Sequence, residues 1–165
     1  MAGAGLEFSL DGITGKLEQL QTVFTDLTPL MDRIGAALEM SAQMRFETKT
    51  GPGGQKWQDL AASTIRERIR KGYGGQNILR RSGDLVRSLN TRSAPDRVIV
   101  SLGGSGNSTA YARAQHMGAT IKRSGVNVGG FIIKIPARPS LGIDREDEKE
   151  IVNITDRFLK EVLES

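Results

Sequence analysis

The feature that most restricts the fold of this chain is a pair of prolines, Pro136 and Pro139, in the segment IPARPSLG at residues 135–142. Each proline fixes its own φ angle and moves the preceding residue toward extended geometry. Neither can donate a backbone hydrogen bond to a sheet, so a strand predicted at residues 131–135 must end there or lie at an edge. The segment, named here the proline arm, is predicted to be stiff and to hold the Arg138 guanidinium in a defined place.

The totals of the sequence limit the classes of protein to consider. A chain of 165 residues fits one domain with a modest core, so residues 1–165 are predicted to form a single domain. Cysteine is absent, which excludes disulfides and thiolate metal sites. The N-terminus lacks the basic and apolar regions of a signal peptide, and no apolar run approaches the ~18 residues that span a bilayer. We therefore expect a soluble protein that is not secreted.

The first part of the chain carries an apolar stripe at helical spacing. Its members are Ile13, Leu17, Leu20, Phe24, Leu27, Met31, Ile34 and Leu38. Proline in a helix interior costs ~3 kcal/mol, so Pro29 is predicted to separate two helices. The first is expected to end at about Thr25 and the second to run from Pro29 to about Phe46, with Thr28 as its cap. One apolar face lying on a sheet explains the stripe better than a coiled coil.

The remaining sequence alternates short strands, short helices and glycine-rich loops. Strands are predicted at residues 6–10, 98–102, 119–122 and 131–135, and a turn at Asp11 and Gly12. A short helix is predicted at residues 60–69, with Leu60, Ile65 and Ile69 as its apolar residues. A second is predicted to begin after Ser82, which caps it, with Leu85 and Leu89 facing inward. A third is predicted at residues 111–117 and is ended by Gly118. Asp144 is predicted to cap a C-terminal helix with a buried stripe of Ile151, Ile154, Phe158 and Val162. The fold class is therefore α+β, with a small antiparallel sheet packed against a long N-terminal helical segment and a C-terminal helix.

Charge is segregated along the chain, whose overall net charge is +4. Residues 51–142 contain fifteen Lys and Arg against four Asp and Glu, whereas residues 1–50 have a net charge of −3 and residues 143–165 one of −4. The basic middle has three interpretations. It faces DNA, it meets the acidic ends of identical subunits around a ring, or it pairs with those ends within one chain. Charge alone favours the third.

Two further stretches have both an interface and an intramolecular interpretation. The densest basic stretch contains Arg66, Arg68, Arg70, Lys71, Arg80 and Arg81. Because guanidinium groups form bidentate hydrogen bonds with phosphate, this basic stretch is predicted to face DNA or an acidic neighbour. An equal alternative is that it forms a solvated helix face with a few ion pairs. Trp57 follows a glycine-rich loop, and it is either an interface anchor or, as we favour, a residue that holds this loop on its own core.

The sequence contains no pattern typical of a catalytic, cofactor or metal site. His116 is the single histidine, no nucleophile elbow accompanies it, and a structural hydrogen bond is its expected role. The glycine-rich loop at residues 103–108 lacks the lysine of a phosphate-binding loop. The acidic cluster at residues 144–150 is explained by a helix N-terminus, without a cation. We therefore predict no catalytic, cofactor-binding or metal-binding residue, and a protein that is not an enzyme.

Five motifs follow one another in a recognisable order. They are Arg45-Phe46, the loop Gly51-Pro52-Gly53-Gly54 with Trp57, the block Leu79, Arg80, Ser82, Gly83 and Leu85, the helix with Tyr111, Gln115, His116 and Gly118, and the proline arm. Together they resemble the phage virion morphogenesis family, the tail-completion proteins of Mu-like and P2-like contractile-tailed phages. The resemblance runs from Pro29 to the end of the chain. It departs at Gly53, where the family has aspartate, at Met117, where it has an aromatic residue, and at Ser140, where it has phenylalanine.

The resemblance implies a structural virion protein of the tail end or neck, present in the host cytoplasm during assembly, that completes the tail and enables head–tail joining. It implies a homo-oligomeric, commonly hexameric, ring around the DNA channel. The expected partners are the tail tube or terminator, head–neck proteins and, weakly and without sequence preference, DNA, with no membrane and no cofactor. The residues assigned to a subunit or partner interface are Trp57, Tyr111, Gln115, His116, Arg138, Pro139 and Leu141. The alternative function is non-specific DNA binding through residues 66–81.

Two expectations concern the proline arm and the glycine-rich loops. Arg138 is expected to hydrogen-bond carboxylate or backbone carbonyl groups at a junction that defines the fold or joins subunits. The arm either clamps an adjacent subunit or stays rigid beside its own sheet, and the loops become ordered on assembly.

Overall fold

The computed structural model describes residues 11–73, 77–80, 82–104, 107–123 and 131–164. Its elements in chain order are α1 (Asp11–Thr25), α2 (Thr28–Thr48), α3 (Ala62–Arg70), α4 (Asp84–Arg87), β1 (Asn90–Ala94), β2 (Arg97–Ser101), α5 (Asn107–Met117), β3 (Ala119–Arg123), β4 (Phe131–Ile135) and α6 (Arg145–Glu164), with a 3₁₀ turn at Pro52–Gly54. The strand predicted at residues 6–10 lies outside the described residues. Among the described helices, none combines the length and apolar character needed to cross a membrane.

The predicted α+β class is confirmed, but the strands form two hairpins instead of one small sheet. β1 pairs with β2 in antiparallel register, and β3 pairs with β4 in the same sense. The β1–β2 hairpin lies on α2, which also packs against α6. A glycine makes this close approach feasible, because a Cβ added at Gly35 would lie 2.5 Å from Thr91 Cγ2 and 2.8 Å from Val98 Cγ2.

The break predicted at Pro29 is confirmed, whereas two details of the N-terminal helices differ. The expected turn at residues 11–12 is the start of α1, and α2 begins at Thr28 without a side-chain cap from that residue. Instead, the Thr28 backbone N–H donates to Asp26 Oδ1 at 2.9 Å. α1 contacts α6 rather than a sheet, which leaves much of its predicted apolar stripe exposed, including Ile13, Leu17 and Phe24.

The part of the chain that the structure describes contains two clusters of buried apolar side chains. The first joins α2 to α6 through Leu30, Ile34, Ile154 and Phe158. The second contains Phe46, Trp57, Ile78, Leu79, Leu85 and Ala112. Burial of these side chains contributes roughly 1.5–3 kcal/mol for each large one, so the two clusters are the main apolar source of stability.

Of the two helix caps predicted at Asp144 and Ser82, the first is confirmed and the second is wrong. Asp144 caps α6 as predicted, because its Oδ1 accepts from the N–H groups of Glu146 at 3.0 Å and Asp147 at 3.1 Å. Ser82 does not cap α4. Its hydroxyl donates to the Asp84 carboxylate, and Gly83, with φ of 81°, precedes the helix.

Candidate functional site

The proline arm packs against its own subunit, with two of its residues buried and Ala137 and Gly142 exposed. β4 ends at Ile135, as predicted from Pro136, and the arm then runs to Gly142. Arg138 is only 4% exposed and Ser140 is fully buried. The arm is therefore placed beside its own hairpin and helices, and its polar groups must find partners there.

Arg138 joins three separate segments through neutral acceptors. Its Nε donates to the Gln58 carbonyl at 3.0 Å, and its Nη2 donates to the Asp59 carbonyl at 3.3 Å. Its Nη1 donates to Gln115 Oε1 at 3.3 Å, while its backbone N–H donates to the Gln115 carbonyl at 2.8 Å. Arg138 thus makes the expected hydrogen bonds to backbone carbonyls, whereas its role at a junction that defines the fold or joins subunits stays a prediction.

A second buried arginine, Arg45 at the C-terminal end of α2, holds the far end of the arm. Its Nη1 donates to the carbonyls of Gly142 at 2.7 Å and Ser140 at 3.3 Å. Its Nη2 donates to Asp144 Oδ2 at 3.0 Å and to Asp147 Oδ2. Arg45 and Asp147 are both buried. This group of residues, named the Arg45 centre, neutralises its own charge within the chain.

The Asp144 carboxylate connects the Arg45 centre to the glycine-rich loop. It accepts from the Gly53 N–H at 3.1 Å as well as from Arg45 and the first turn of α6. Backbone hydrogen bonds from Asp147 and Gly53, with a smaller contribution from Arg45, lower the pKa of Asp144 to about 2. Asp144 is therefore ionised at any physiological pH, and it is the ionised carboxylate that accepts these hydrogen bonds in the folded protein.

Trp57 belongs to the core, which is the interpretation that the sequence favoured. It is buried, its ring meets that of Phe46 edge to face at a centroid distance of 5.7 Å, and its Nε1 donates to the Pro139 carbonyl at 2.9 Å. A Cβ at Gly51 would lie 3.1 Å from the same carbonyl oxygen, so the loop and the arm approach closely. The side chain of Trp57 therefore holds the loop, the core and Pro139 together.

His116 and Gly118 position the arm from the end of α5. The Ser140 N–H donates to His116 Nδ1 at 3.4 Å, so the expected structural hydrogen bond of this histidine is present. Gly118 has φ of +78° at the end of α5, as predicted, and a Cβ there would lie 3.1 Å from the Ala137 nitrogen and the Ile135 oxygen. Glycine at this position thus provides both the helix end and the contact with the arm.

The remaining interface candidates differ in exposure. Tyr111 is 45% exposed, Gln115 and Pro139 are half-buried, and Leu141 is half-buried beside Ala42 and Val98. Of the interface residues predicted from sequence, Tyr111 thus presents the largest fraction of its side chain to solvent. The assignment of the set to an interface stays a prediction.

The basic stretch is divided by the fold. Arg66, Arg70, Lys71 and Arg80 are exposed, and Arg81 lies outside the described residues. Arg68 is 9% exposed and its Nη1 donates to the Asn77 carbonyl at 2.7 Å, so it does not present its guanidinium on an outer surface that faces DNA. The prediction of an apolar face through Ile69 is also wrong, since that side chain is 63% exposed and α3 turns Arg68 inward instead.

The observed ion pairs leave the charge segregation intact. Within the described ranges, pairs form inside the middle segment, as with Lys71 and Glu67, between the two acidic ends, as with Arg33 and Glu161, or inside the C-terminal end, as with Arg157 and Glu150. None of the ion pairs of these ranges links residues 51–142 to either end. The intramolecular pairing of middle and ends that charge alone favoured is therefore not seen in this part of the chain.

Sequence reasoning missed the central role of Arg45 and of Asp147. Arg45 falls at helical spacing after Ile34, Leu38 and Ala42, on the stripe that α2 buries. A cation on a buried stripe requires a buried partner, so the position of Arg45 on this stripe could have indicated a buried ion pair. Asp147 was explained by the helix dipole alone, although it also accepts the Asp144 N–H and pairs with Arg45.

Chemically, the site consists of hydrogen bonds that connect segments. No group of three or more His, Asp or Glu side chains in the described residues is arranged to hold a metal ion. His116 contacts the arm, and the carboxylates nearest to the arm are engaged with Arg45 and the α6 backbone. The arrangement is suited to fixing the relative positions of α2, α5, α6 and the arm.

Comparison with known proteins gives this architecture a family. A sequence profile described as the phage virion morphogenesis family matches residues 9–160. The chain is 30% identical to the putative capsid assembly protein G of Escherichia phage Mu, over 82% of this chain and 80% of that protein. It is 25% identical to the Mu-like prophage FluMu G protein 1 of Haemophilus influenzae, over 95% of this chain and 97% of that protein. No solved structure matches significantly. The chain therefore belongs to the phage virion morphogenesis family.

Proposed function

We propose that this protein is a non-enzymatic structural component of the tail end or neck of a contractile-tailed phage. It completes the tail and enables the tail to join the DNA-filled head. It acts as a homo-oligomeric ring, hexameric in our expectation, around the channel through which DNA passes. Its partners are the tail tube or terminator and head–neck proteins, and its contact with DNA is weak and independent of sequence.

The observation that carries this proposal is the family match over residues 9–160, which includes the proline arm, Arg45 and Trp57. The side chains of Arg45, Trp57 and Arg138 use their polar groups to connect segments of the chain, whereas the buried Ser140 hydroxyl has no hydrogen-bond partner among the described residues. A protein whose buried polar groups are used in this way is suited to presenting rigid surfaces to other proteins. The role is therefore architectural.

The segregated charge supports assembly from several copies. The middle of the chain keeps a net charge of +11, and the ion pairs of the described residues do not connect it to the acidic ends. Opposite faces of identical subunits attract one another when they meet head to tail, and a closed ring satisfies every such face. In the proposed ring, the exposed basic residues Arg66 and Arg70 of each copy lie near the central axis along which DNA passes.

The decisive experiment removes the protein from the phage and inspects the particles by electron microscopy. We expect DNA-filled heads and separate tails, with joining restored when the protein is supplied from a plasmid. The name of the Mu relative places that protein in capsid assembly. Malformed or absent heads with normal tails would therefore favour a head role and contradict the tail-end proposal, as would infectious particles that form without the protein.

Non-specific DNA binding is the alternative function, supported by the exposure of Arg66, Arg70, Lys71 and Arg80. A duplex-binding protein that contacts six to ten phosphates loses ~10³–10⁵ in affinity between 50 and 200 mM salt. The inward position of Arg68 reduces the number of available contacts. A salt titration of binding to a labelled duplex separates the two functions, because the ring proposal predicts weak binding whereas the alternative predicts tight binding at low salt with this steep slope.

A further inference from the structure

A cavity of about 470 Å³ lies between the segment before α3, helix α5, strand β4 and the proline arm. Its walls include Thr64, Leu79, Tyr111 and Ile133, and both Arg68 and Arg138 line it. The space equals that of about fifteen water molecules at roughly 30 Å³ each. It is therefore large enough for an acidic side chain together with part of its backbone.

The two arginines of this cavity, named the Arg68–Arg138 cavity, have only neutral acceptors. Arg68 donates to the Asn77 carbonyl at 2.7 Å, and Arg138 donates to two carbonyls and the Gln115 amide oxygen. Within the described part of the chain, neither guanidinium forms an ion pair with a carboxylate. Both side chains are at least nine-tenths buried.

The electrostatics of the cavity favour a negatively charged occupant. Burial is the main cause that lowers the pKa of Arg138; Tyr111 opposes it, the nearby charge of Arg68 adds a smaller lowering, and Asp59 opposes it least. Asp59 and Lys134 also line the cavity, so its lining carries three cationic side chains and one carboxylate. Buried charges without an opposite charge are costly, and two like charges in one cavity increase this cost. A carboxylate that enters the cavity reduces it, and charge-assisted hydrogen bonds to guanidinium are among the strongest polar contacts.

The shape of the cavity favours a protein carboxylate over a DNA phosphate. The guanidinium groups are recessed behind apolar walls such as Leu79 and Ile133. The phosphates of a duplex lie on a wide and stiff cylinder, which cannot follow a narrow recess. A glutamate side chain has a flexible apolar stem that fits such walls and a carboxylate at its tip.

The chain itself supplies suitable carboxylates. Glu146, Glu148, Asp156 and Glu164 of α6 are exposed, and none of them forms an ion pair with another described residue. They lie in the acidic C-terminal segment, whose net charge of −4 complements the basic middle that contains the cavity. Charge complementarity between two surfaces of one sequence favours association of identical copies.

We propose that the Arg68–Arg138 cavity is a docking site for an acidic side chain on α6 of a second copy of this chain. The inference deepens the proposed ring, since it names the contact through which neighbouring copies meet. Each subunit then provides one cavity and one acidic helix, which is the head-to-tail arrangement that closes a ring.

The test measures self-association of the full chain by sedimentation velocity over a range of concentrations. Arg68→Gln removes one guanidinium and is expected to raise the dissociation constant at least about thirtyfold, the effect of removing one member of a buried charge pair. Arg70→Gln is the matched control, because it removes the same charge from the exposed side of the same helix, and it is expected to change the constant by less than about fivefold. Equal effects of the two substitutions would overturn the cavity as the site.

Thr64→Glu tests the same site without removing a guanidinium. Thr64 lines the cavity, so the new carboxylate occupies it from within the chain, weakens self-association and raises the thermal midpoint. Circular dichroism checks that every variant is folded, and this variant decides the question if Arg68→Gln does not fold. A chain that remains monomeric at all concentrations, or a Thr64→Glu variant that associates like the wild type, overturns the inference.

A measurement of DNA duplex binding by the same variants tests whether the cavity takes a DNA phosphate instead of a protein carboxylate. If Thr64→Glu abolishes DNA binding and leaves self-association unchanged, the cavity takes phosphate and the proposal is wrong. Failure of this inference is separable from failure of the proposed function, because head–tail joining is scored in particles that lack the protein. Suppose that head–tail joining requires the protein but the Arg68→Gln variant supports joining as well as the wild type does. That result would overturn the docking site and leave the proposed function standing.

Discussion

Two buried arginines hold the proline arm, and their surroundings differ in one respect. Arg45 donates to two carboxylates and two carbonyls, so its charge is balanced inside the subunit. Arg138 is buried as deeply but donates only to neutral oxygens, and it shares the cavity with Arg68, a second cation. The arginine at position 45 is thus paired with carboxylates, whereas the one at position 138 forms no ion pair with a described residue and has only the distant Asp59 carboxylate to offset its charge.

Burial of an arginine therefore does not by itself indicate its role. The Arg45 centre needs nothing from outside the chain, because its acceptors come from α6 and the arm. In the Arg68–Arg138 cavity the hydrogen bonds are made but the charge is not balanced. The two regions therefore respond differently to substitution, and four measurements test that difference.

The largest effect is expected for Arg45→Met, which leaves Asp147 buried without its cation. Breaking a buried pair by removing one partner costs about 3–5 kcal/mol, and we expect this loss in the free energy of unfolding measured with urea. Arg33→Met is the control, since it removes an arginine from the exposed pair with Glu161 and is expected to cost about 1 kcal/mol or less. Similar losses for both variants would break the distinction between the Arg45 centre and an ordinary surface ion pair.

The next effect is expected for Gly118→Ala, which disturbs the arm on the Arg138 side only. The new Cβ meets two backbone atoms at 3.1 Å in a left-handed conformation, so we expect a loss of more than about 1 kcal/mol in chemical unfolding. Gly15→Ala is the opposite control, because Gly15 lies within α1 with nothing within 4 Å, and alanine there should stabilise the protein by roughly 0.5–1 kcal/mol. A neutral result at Gly118 would mean that α5 does not position the arm.

A loss similar to that of Gly118→Ala is expected for Arg138→Lys, which keeps the charge but removes the fork that reaches three acceptors. Losing two hydrogen bonds to neutral oxygens costs about 1–2 kcal/mol, and the thermal midpoint should fall accordingly. This loss must be smaller than that of Arg45→Met if the comparison holds. Unchanged thermal stability together with unchanged assembly would exclude a junction role for Arg138.

The smallest effect is the acid dependence that belongs to the Arg45 centre. The pKa of Asp144 is about 2 in the folded protein against an ordinary value of 3.8, so its ionised form stabilises the fold above about pH 4 and this contribution disappears as the pH falls toward 2. After allowance for solvent screening, the loss is about 1 kcal/mol. Asp144→Asn should be less stable at neutral pH and show a flatter pH profile, and an unchanged profile would contradict this assignment.

Local patterns in the sequence predicted much of the backbone and little of the charged interior. Pro29, Pro136, Gly118 and Asp144 act through their own φ angles or through caps, so the boundaries that they set were predicted correctly. The separation of the two hairpins depends on contacts between distant segments, and no local pattern predicts it.

The candidate site was predicted in part for the same reason. The two prolines predicted a stiff arm that holds Arg138 in a defined place, but its acceptors on the segment before α3 and on α5 could not be read from the sequence. Arg45 and Arg68 lie on helices whose rotation is set by tertiary packing. α3 exposes Ile69 in order to bury Arg68, and hydrophobic periodicity alone predicts the reverse. Tyr111 and Leu141 were assigned from resemblance, and their role awaits the assembly experiments.

The Arg45–Asp147 pair also has a consequence for synthesis of the protein. These partners are 102 positions apart, so α2 emerges from the ribosome long before its buried cation can be neutralised. At roughly 5–20 residues per second, the interval is about 5–20 seconds. During that interval Arg45 lacks its buried partner, so the first helices cannot reach their final packing until the last segment has been translated.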